Sequence, residues 1–433
     1  MLNSISQRKC EGMMFNTTRT WIKQAQMPIF ARGMVAYGSA EAITRIVRLG
    51  AILVVARQIA PEMLGAAAFA LSLFELIRVL TNVGIGQRII VANSEELYAI
   101  CNTAHRLFWA ICLGVMAIQI AIAALVWIAF SNPEMAAMLA VLAGVYLFMP
   151  AGLVQIFLAM RAQRMGATAQ VAAVQNIADA ALTVVLVLAW PSAWAIVLPK
   201  LFTAPIWLAG ARRTYTWTFD RATKPAPLND FASFGPSILI SELLVATRIH
   251  GDKLLIGWLL GTEALGLYFF AFNAGLGITQ SFVAACSLVL FPHLANSSAE
   301  TIGSEFRRSF AIGLMALLPV VIAQAVLAPF YVPLIFGENW SGAVPFVALL
   351  AAAALPLYAG AILGAHFRAL QKPMAETGLM AAATIAALIG LVCGAQLSLT
   401  AACIGFVSGL SIILIPAAAL QLLASTKPAA AAA

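Results

Sequence analysis

The sequence predicts an all-α integral membrane protein, with about twelve transmembrane helices in two six-helix lobes that form a parallel internal repeat around a central cavity. Three observations carry that expectation. Only 10% of the 433 residues are charged and 62% are hydrophobic, whereas soluble chains carry about 25% charged residues. Apolar stretches long enough to cross a hydrocarbon core of about 30 Å recur along the whole chain. The chain also repeats itself at one offset. Glu62, Gly65 and Phe69 match Glu263, Gly266 and Phe270, and Glu41 and Gly50 match Glu242 and Gly251, always 201 residues apart.

A span needs about 20 predominantly apolar residues. In the first half, segments 29–59, 64–85, 107–130, 135–160, 171–190 and 194–210 reach that length. In the second half, segments 234–260, 265–292, 309–330, 343–365, 377–394 and 399–423 do so. The third and fourth spans form a hairpin through Ser131-Asn132-Pro133-Glu134, and the fifth and sixth through Trp190-Pro191-Ser192-Ala193.

Basic residues set the orientation. With the N-terminus inside, the inner segments hold 18 of the 25 lysines and arginines, among them Arg88, Arg106, Arg161, Arg164, Arg212, Arg213, Arg368 and Lys372. On the outer side only Arg57 lies near a helix end. Both termini are therefore expected in the cytoplasm. The domains are an N-terminal tail (1–28), an N-lobe (29–210), a cytoplasmic linker (211–230), a C-lobe (231–424) and a C-terminal tail (425–433). Six spans bring the chain back to the side where it started, so the lobes are related by a pseudo-two-fold along the membrane normal. Arg161-Ala162-Gln163-Arg164 after the fourth span and Arg368-Ala369-Leu370-Gln371-Lys372 after the tenth agree with this. The polar N-terminal tail carries no cleavable signal pattern, so the first span is expected to act as its own insertion signal.

Composition and motifs exclude several classes. The net charge of +8 reflects the inner arginines and not a nucleic-acid surface. The six cysteines are scattered with no Cys-x-x-Cys and no nearby histidine pair, so neither a metal nor a disulfide framework is expected. No P-loop, His-Glu-x-x-His or Gly-x-Ser-x-Gly occurs, and the short outer loops leave no room for a catalytic domain. The chain is read as a transporter without cofactors and not as an enzyme. Gly360-x-x-x-Gly364 permits close helix packing.

The residues with chemistry are charges inside spans: Glu41, Arg45, Arg48, Arg57, Glu75, Arg78, Asp179, Lys200, Glu242, Arg248, Asp252 and Lys253. Each costs about 2.5–3.5 kcal/mol at mid-bilayer, and a dozen facing lipid would cost on the order of 30 kcal/mol. Most must face a bundle interior or a watery cavity. Glu41, Arg45 and Arg48 form one helical stripe, whose guanidinium groups suit a phosphate, although a Glu41–Arg45 pair joining the lobes has the same pattern. Arg248 and Asp252 share a face, open to either cavity lining or a structural pair, with Glu242 and Lys253 on another. Glu75 and Arg78 read as a mutual pair. Lys200 has no acid near it in sequence, and Asp179 could titrate, bind a cation or be structural. His250 reads as a proton site or as a satisfied helical histidine. The candidate substrate-binding set is Arg45, Arg48, Lys200 and Arg248, and the candidate ion-coupling acids are Glu41, Asp179 and Asp252.

The sequence resembles the polysaccharide transport (oligosaccharide flippase, Wzx-type) family of the multidrug/oligosaccharidyl-lipid/polysaccharide exporter superfamily. Four stretches carry the resemblance: Ala56-Arg57-Gln58-Ile59-Ala60-Pro61-Glu62-Met63-Leu64-Gly65, Asn82-Val83-Gly84-Ile85, Trp194-Ala195-Ile196-Val197, and the run from Arg248-x-x-x-Asp252-Lys253 to Leu265-Gly266-x-Tyr268. It covers most of residues 30–425. The resemblance implies two lobes working by alternating access in the cell inner membrane. The cargo would be an undecaprenyl-diphosphate-linked oligosaccharide, a repeat unit for O-antigen, lipopolysaccharide or exopolysaccharide. The implied partners are that lipid-linked substrate, membrane lipid, a polysaccharide polymerase and glycosyltransferases, with a monomeric protein and no nucleic acid. The lobes have diverged, because Arg45 falls on Ala246, Arg48 on Ile249 and Asp252 on Ala51. A drug or cation antiporter of the same superfamily is the alternative, and a membrane glycosyltransferase or polymerase a more distant one.

Overall fold

A chain crossing hydrocarbon must satisfy every backbone N–H and C=O within itself, and the apolar segments do so as helices. The computed structural model describes residues 44, 47, 48, 50–220, 225–228, 231, 235–277, 279, 280, 282, 283, 286, 290, 294, 297 and 301–425. Helix α1 is described at residues 44, 47, 48 and 50–58. In the first lobe α2 (Pro61–Arg78), α3 (Ile85–Val91), α4 (Leu97–Phe130), α5 (Pro133–Ala143), α6 (Pro150–Arg161), α7 (Met165–Ala189) and α8 (Trp194–Thr214) follow. The second lobe holds α9 (Gly235–Ala271), α10 (Ile302–Tyr331), α11 (Val344–Ala352), α12 (Ala354–Ala369), α13 (Pro373–Ala395) and α14 (Leu399–Ala424). Among the described residues nine helices, or ten with one bent pair, are long and apolar enough to cross a membrane. Side chains such as Ile128 and Phe330, 79% and 70% exposed, are the lipid-facing surface of a multi-pass membrane protein.

The spans follow the apolar segments, but the backbone departs from them at definite points. The second span stops at Thr81, and Gly84 takes φ 75° in the turn before α3. The third begins at Leu97, well before the expected start at residue 107. The fourth, expected as one helix, breaks into α5 and α6 with a 54° bend. Pro150 at the start of α6 has no N–H to give Tyr146, and its ring crowds that carbonyl. The tenth span is interrupted for one residue at Ala353, between α11 and α12, where Pro356 has no N–H to give Ala352, yet it runs on as a single span from Glu338 to Ala369. Pro150 lies 11 residues before Arg161 and Pro356 lies 12 before Arg368, so both lobes carry a proline at a similar place, while the sharp bend is in the first lobe. The seventh and eighth spans join at Gly261, whose φ of 87° with ψ of 179° is open to glycine alone.

Polar side chains tie the helices of the first lobe together. Gln119 of α4 donates to the Leu139 carbonyl (2.7 Å) and accepts from the Tyr146 hydroxyl (3.0 Å), all inside the first lobe. Two of the arginines from which the orientation is expected also cap helix ends. Arg161 Nη1 donates to the carbonyls of Ile89, Ile90 and Ala92 at the C-terminal end of α3, and Arg164 Nη1 to that of Thr214 at the end of α8. The segment after α8 runs extended along α4, where Asn102 both donates to the Asp220 carbonyl and accepts from its N–H.

Small residues set the closest helix approach. In the α13–α14 hairpin a Cβ on Gly405 would overlap the Gly390 carbonyl and one on Gly390 the Gly405 carbonyl, with Gly394 against Ala401 and Gly409 against Ala386 in the same stripe. Gly405→Leu should therefore force the hairpin apart and destabilise the protein by about 1–3 kcal/mol or more. Gly114→Leu, where a Cβ meets open space, should change little. Melting temperatures of the two detergent-solubilised variants check the contrast.

Candidate functional site

Charges inside a bilayer must be paired or wet, and the described in-span charges divide along that line. On α2, Arg78 donates to Glu75 Oε2 from Nε (2.8 Å) and Nη2 (2.5 Å), the pair that the i, i+3 spacing predicts. In the first lobe Lys200 of α8 donates to Asp179 Oδ2 of α7 at 3.0 Å, with both side chains mostly buried. Lys200 looked isolated because its partner lies 21 residues back, across a hairpin turn that brings the two helices together.

In the second lobe the expected Arg248–Asp252 face divides. Asp252 is 1% exposed and accepts from Lys253 Nζ on both oxygens (3.0 and 3.1 Å) and from the Tyr268 hydroxyl (2.8 Å). Neighbours at i and i+1 point to different faces of a helix. The four-carbon lysine stem overcomes that by curling back, so that Nζ also donates to the Ile249 carbonyl (2.7 Å) and lies 3.7 Å from the centroid of the Phe272 ring. Tyr268, absent from the residues singled out above for their chemistry, reaches Asp252 because the chain turns back at Gly261. Its only signal in the sequence was its place in Leu265-Gly266-x-Tyr268.

Arg248 instead faces a groove of about 640 Å³ between α9, α12, α13 and residues 280 and 283. Arg368 and Glu376 line the same groove and pair at 3.4 Å. Arg48 is exposed, Glu242 is half-buried, and His250 is half-buried with no hydrogen-bond partner for its Nδ1. Glu41 and Arg45 lie outside the described residues. The structure thus separates the candidate residues, with Lys200 paired to Asp179, Asp252 to Lys253, and Arg248 in a groove. Among the described residues no three His, Cys, Asp or Glu side chains gather as a metal site.

A second constellation joins the lobes at the face expected outside. The start of α2 crosses α9 just beyond Gly261. A Cβ on Gly65 would overlap the Thr262 carbonyl, and one on Gly266 the Pro61 carbonyl. These two glycines are copies in the 201-residue repeat, so each copy packs against the other. Beside them Trp340, fully buried, donates Nε1 to the Ala56 carbonyl at 2.6 Å. Arg57 donates Nε to the Ile335 carbonyl (2.9 Å) and Nη2 to the Leu334 carbonyl (3.3 Å). Phe270 stacks on Trp340 with centroids 4.4 Å apart. Arg57, the lone outer cation near a helix end in the sequence, is a clasp between lobes.

Two lobes of apolar spans, clasped at one face, with paired charges in each lobe, define a multi-pass membrane protein. The chain belongs to the polysaccharide biosynthesis protein family, which matches residues 54–345. It is 31% identical over 128 residues to the teichuronic acid biosynthesis protein TuaB of Bacillus subtilis (strain 168), covering 29% of this chain and 26% of that one. It is 23% identical over 324 residues to the lipopolysaccharide biosynthesis protein WzxC of Escherichia coli (strain K12), covering 72% of this chain and 64% of that one. The chain thus spans between about a quarter and just under two thirds of the length of these relatives. Its fold is similar to that of the lipid II flippase MurJ in an inward closed conformation, with a TM-score of 0.73 at 12% identity over 90% of this chain and 87% of that one.

Removing one partner of a buried ion pair leaves an uncompensated charge and costs about 3–5 kcal/mol. Lys200→Met should therefore destabilise the protein by about that amount, while the Asp179→Asn/Lys200→Met double variant recovers most of the loss. The three melting temperatures give the coupling.

Proposed function

We propose that this chain is a flippase. It moves an undecaprenyl-diphosphate-linked oligosaccharide, a repeat unit for lipopolysaccharide, O-antigen or exopolysaccharide, across the inner membrane by alternating access. Both termini lie in the cytoplasm, and the chain is a transporter and not an enzyme. The observation that carries the polarity of the cargo is the charge balance within the lobes. Asp179 and Asp252 are each neutralised by a lysine, whereas Arg248 stands in a groove with a second arginine. That arrangement suits an anion, because a guanidinium in a low-dielectric cleft binds phosphate oxygens strongly. The two relatives' names, in teichuronic acid and lipopolysaccharide biosynthesis, agree with a glycan cargo.

The clasp at the expected outer face supports the alternating mechanism. With Gly65, Gly266, Arg57 and Trp340 joining the lobes there, a cargo has its way in from the inner side. Releasing it outward requires those contacts to part. Arg48 and Arg45 would extend the cationic surface from the first lobe. Ion coupling through Asp179 or Asp252 would require the lysine to leave the carboxylate, and Glu41 is the remaining candidate.

The antiporter reading wants an uncompensated acid for a cationic drug, and Asp179 and Asp252 already hold a lysine each. The two readings separate by experiment. In cells that depend on this chain for glycan export, Arg248→Ala should lower surface glycan at least tenfold at unchanged protein level, and Asp179→Asn should leave drug resistance unaltered. Full export by Arg248→Ala would remove the arginine from the site.

The clasp has its own test. Gly266→Leu should keep the helices from meeting, so that export falls at least tenfold. A cysteine placed at residue 262 should become reactive to a membrane-impermeant thiol reagent added outside.

A further inference from the structure

Arg368 entered the sequence reading only as one of the inner arginines, and Gly360-x-x-x-Gly364 only as a packing motif. The structure joins them. A Cβ on Gly364 would come within 2.6 Å of Glu376 Oε1, and one on Gly360 within 2.8 Å of the Met380 methyl. The bare face of α12 is therefore a socket into which α13 sets Glu376, and Glu376 in that socket holds Arg368 at 3.4 Å. Both residues line the groove that contains Arg248.

The groove's shape and chemistry restrict what fits. Its lining along α13 runs from Glu376 to Leu388, about 18 Å at 1.5 Å per residue. Arg368 and Glu376 sit at the end expected inside, and Arg248 stands deeper, one turn before Gly251, which packs near Leu388. Side chains tilt toward the N-terminus of their own helix. Helix α9 rises from the inner end and α12 descends toward it, so the two arginine arms lean toward each other along the groove. The walls between them are apolar, with Leu244 42% and Ile385 56% exposed. The uncharged polar lining is Thr247, Gln280, Thr377 and Thr384, and among the described residues no aromatic ring lines it. A sugar would find few partners there. The volume lies in the range of small-ligand pockets.

We propose that this groove binds the lipid carrier and not the glycan. Arg248 and Arg368 would be the two ligands of a polyprenyl diphosphate head, and the apolar wall would take its first isoprenoid units. Glu376 acts as an internal substitute for phosphate, parking Arg368 until an incoming diphosphate displaces it. The inference rests on the flippase reading and names which part of the cargo the second lobe reads. Two arginines against one glutamate leave a positive surplus that grows when Glu376 gives way. The carboxylate therefore lowers affinity, and its loss and the loss of its arginine partner should have opposite effects.

The test uses the purified full chain and farnesyl diphosphate, a short polyprenyl diphosphate without sugar, with binding read by calorimetry. Wild type should bind it, and farnesol and inorganic pyrophosphate should bind at least tenfold more weakly. Arg248→Gln and Arg368→Gln should each weaken binding at least tenfold. Glu376→Gln, which keeps the shape in the Gly364 socket, should tighten it several-fold, a gain that misfolding cannot produce. Equal binding by the arginine variants, or weaker binding by Glu376→Gln, overturns the proposal. Pyrophosphate binding as tightly as farnesyl diphosphate overturns the role of the apolar wall. If farnesyl diphosphate fails to bind while the protein in proteoliposomes still flips a lipid-linked glycan, the carrier groove falls and the flippase reading stands.

Discussion

The contact on which the arrangement of the lobes depends is backbone against backbone, where Pro61–Gly65 crosses Thr262–Gly266. In lipid, helices gain nothing by hiding apolar side chains from water, so close van der Waals approach and hydrogen bonds must hold them together. Two glycines permit that approach. Because they are copies of one position in a duplicated chain, the contact is self-complementary, as at a two-fold dimer interface. Glycine at Gly65 must fit Thr262, and glycine at Gly266 must fit Pro61. Around this crossing Trp340 and Arg57 add hydrogen bonds to carbonyls of the opposite lobe. All of them involve backbone acceptors, so the clasp buries no charge pair that would have to be exposed when it parts.

Charge balance constrains the rest. A carboxylate taken into hydrocarbon needs a cation and further hydrogen bonds to offset its desolvation. Asp252 has both, with Lys253 on two oxygens and Tyr268 on one of them. Asp179 has Lys200. With Asp179 and Asp252 each holding a lysine, the groove between α9, α12 and α13 keeps a net positive lining among the described residues. Glu376 in that groove is packed against glycine and bonded to one arginine, so it tempers the charge without cancelling it.

Much of the fold was legible in the sequence. The apolar segments, the 201-residue offset and the inner arginines each report a property of single residues or of local runs, and the spans follow them. The Glu75–Arg78 pair was legible for the same reason, because one helical turn sets it. The site was legible only in part. The repeat marked Gly65 and Gly266 as equivalent, yet nothing local says that equivalent residues touch. Lys200 and Asp179, or Asp252 and Tyr268, come together through a turn whose geometry no periodicity encodes. Pro150 and Pro356 were visible, but that the first lies at a sharp bend and the second at a one-residue interruption depends on how the surrounding helices pack.

By itself the sequence determined the class of protein, the succession of spans, the duplication and an inventory of charges too costly to leave in lipid, because these follow from residue type and the thickness of a bilayer. Tertiary structure decided which charges are matched and which face a groove, that Arg57 clasps the lobes, and that Gly360-x-x-x-Gly364 is a socket for Glu376. Those outcomes depend on which faces of separate helices meet, and helix contacts in a membrane are set by packing and not by any property of one segment.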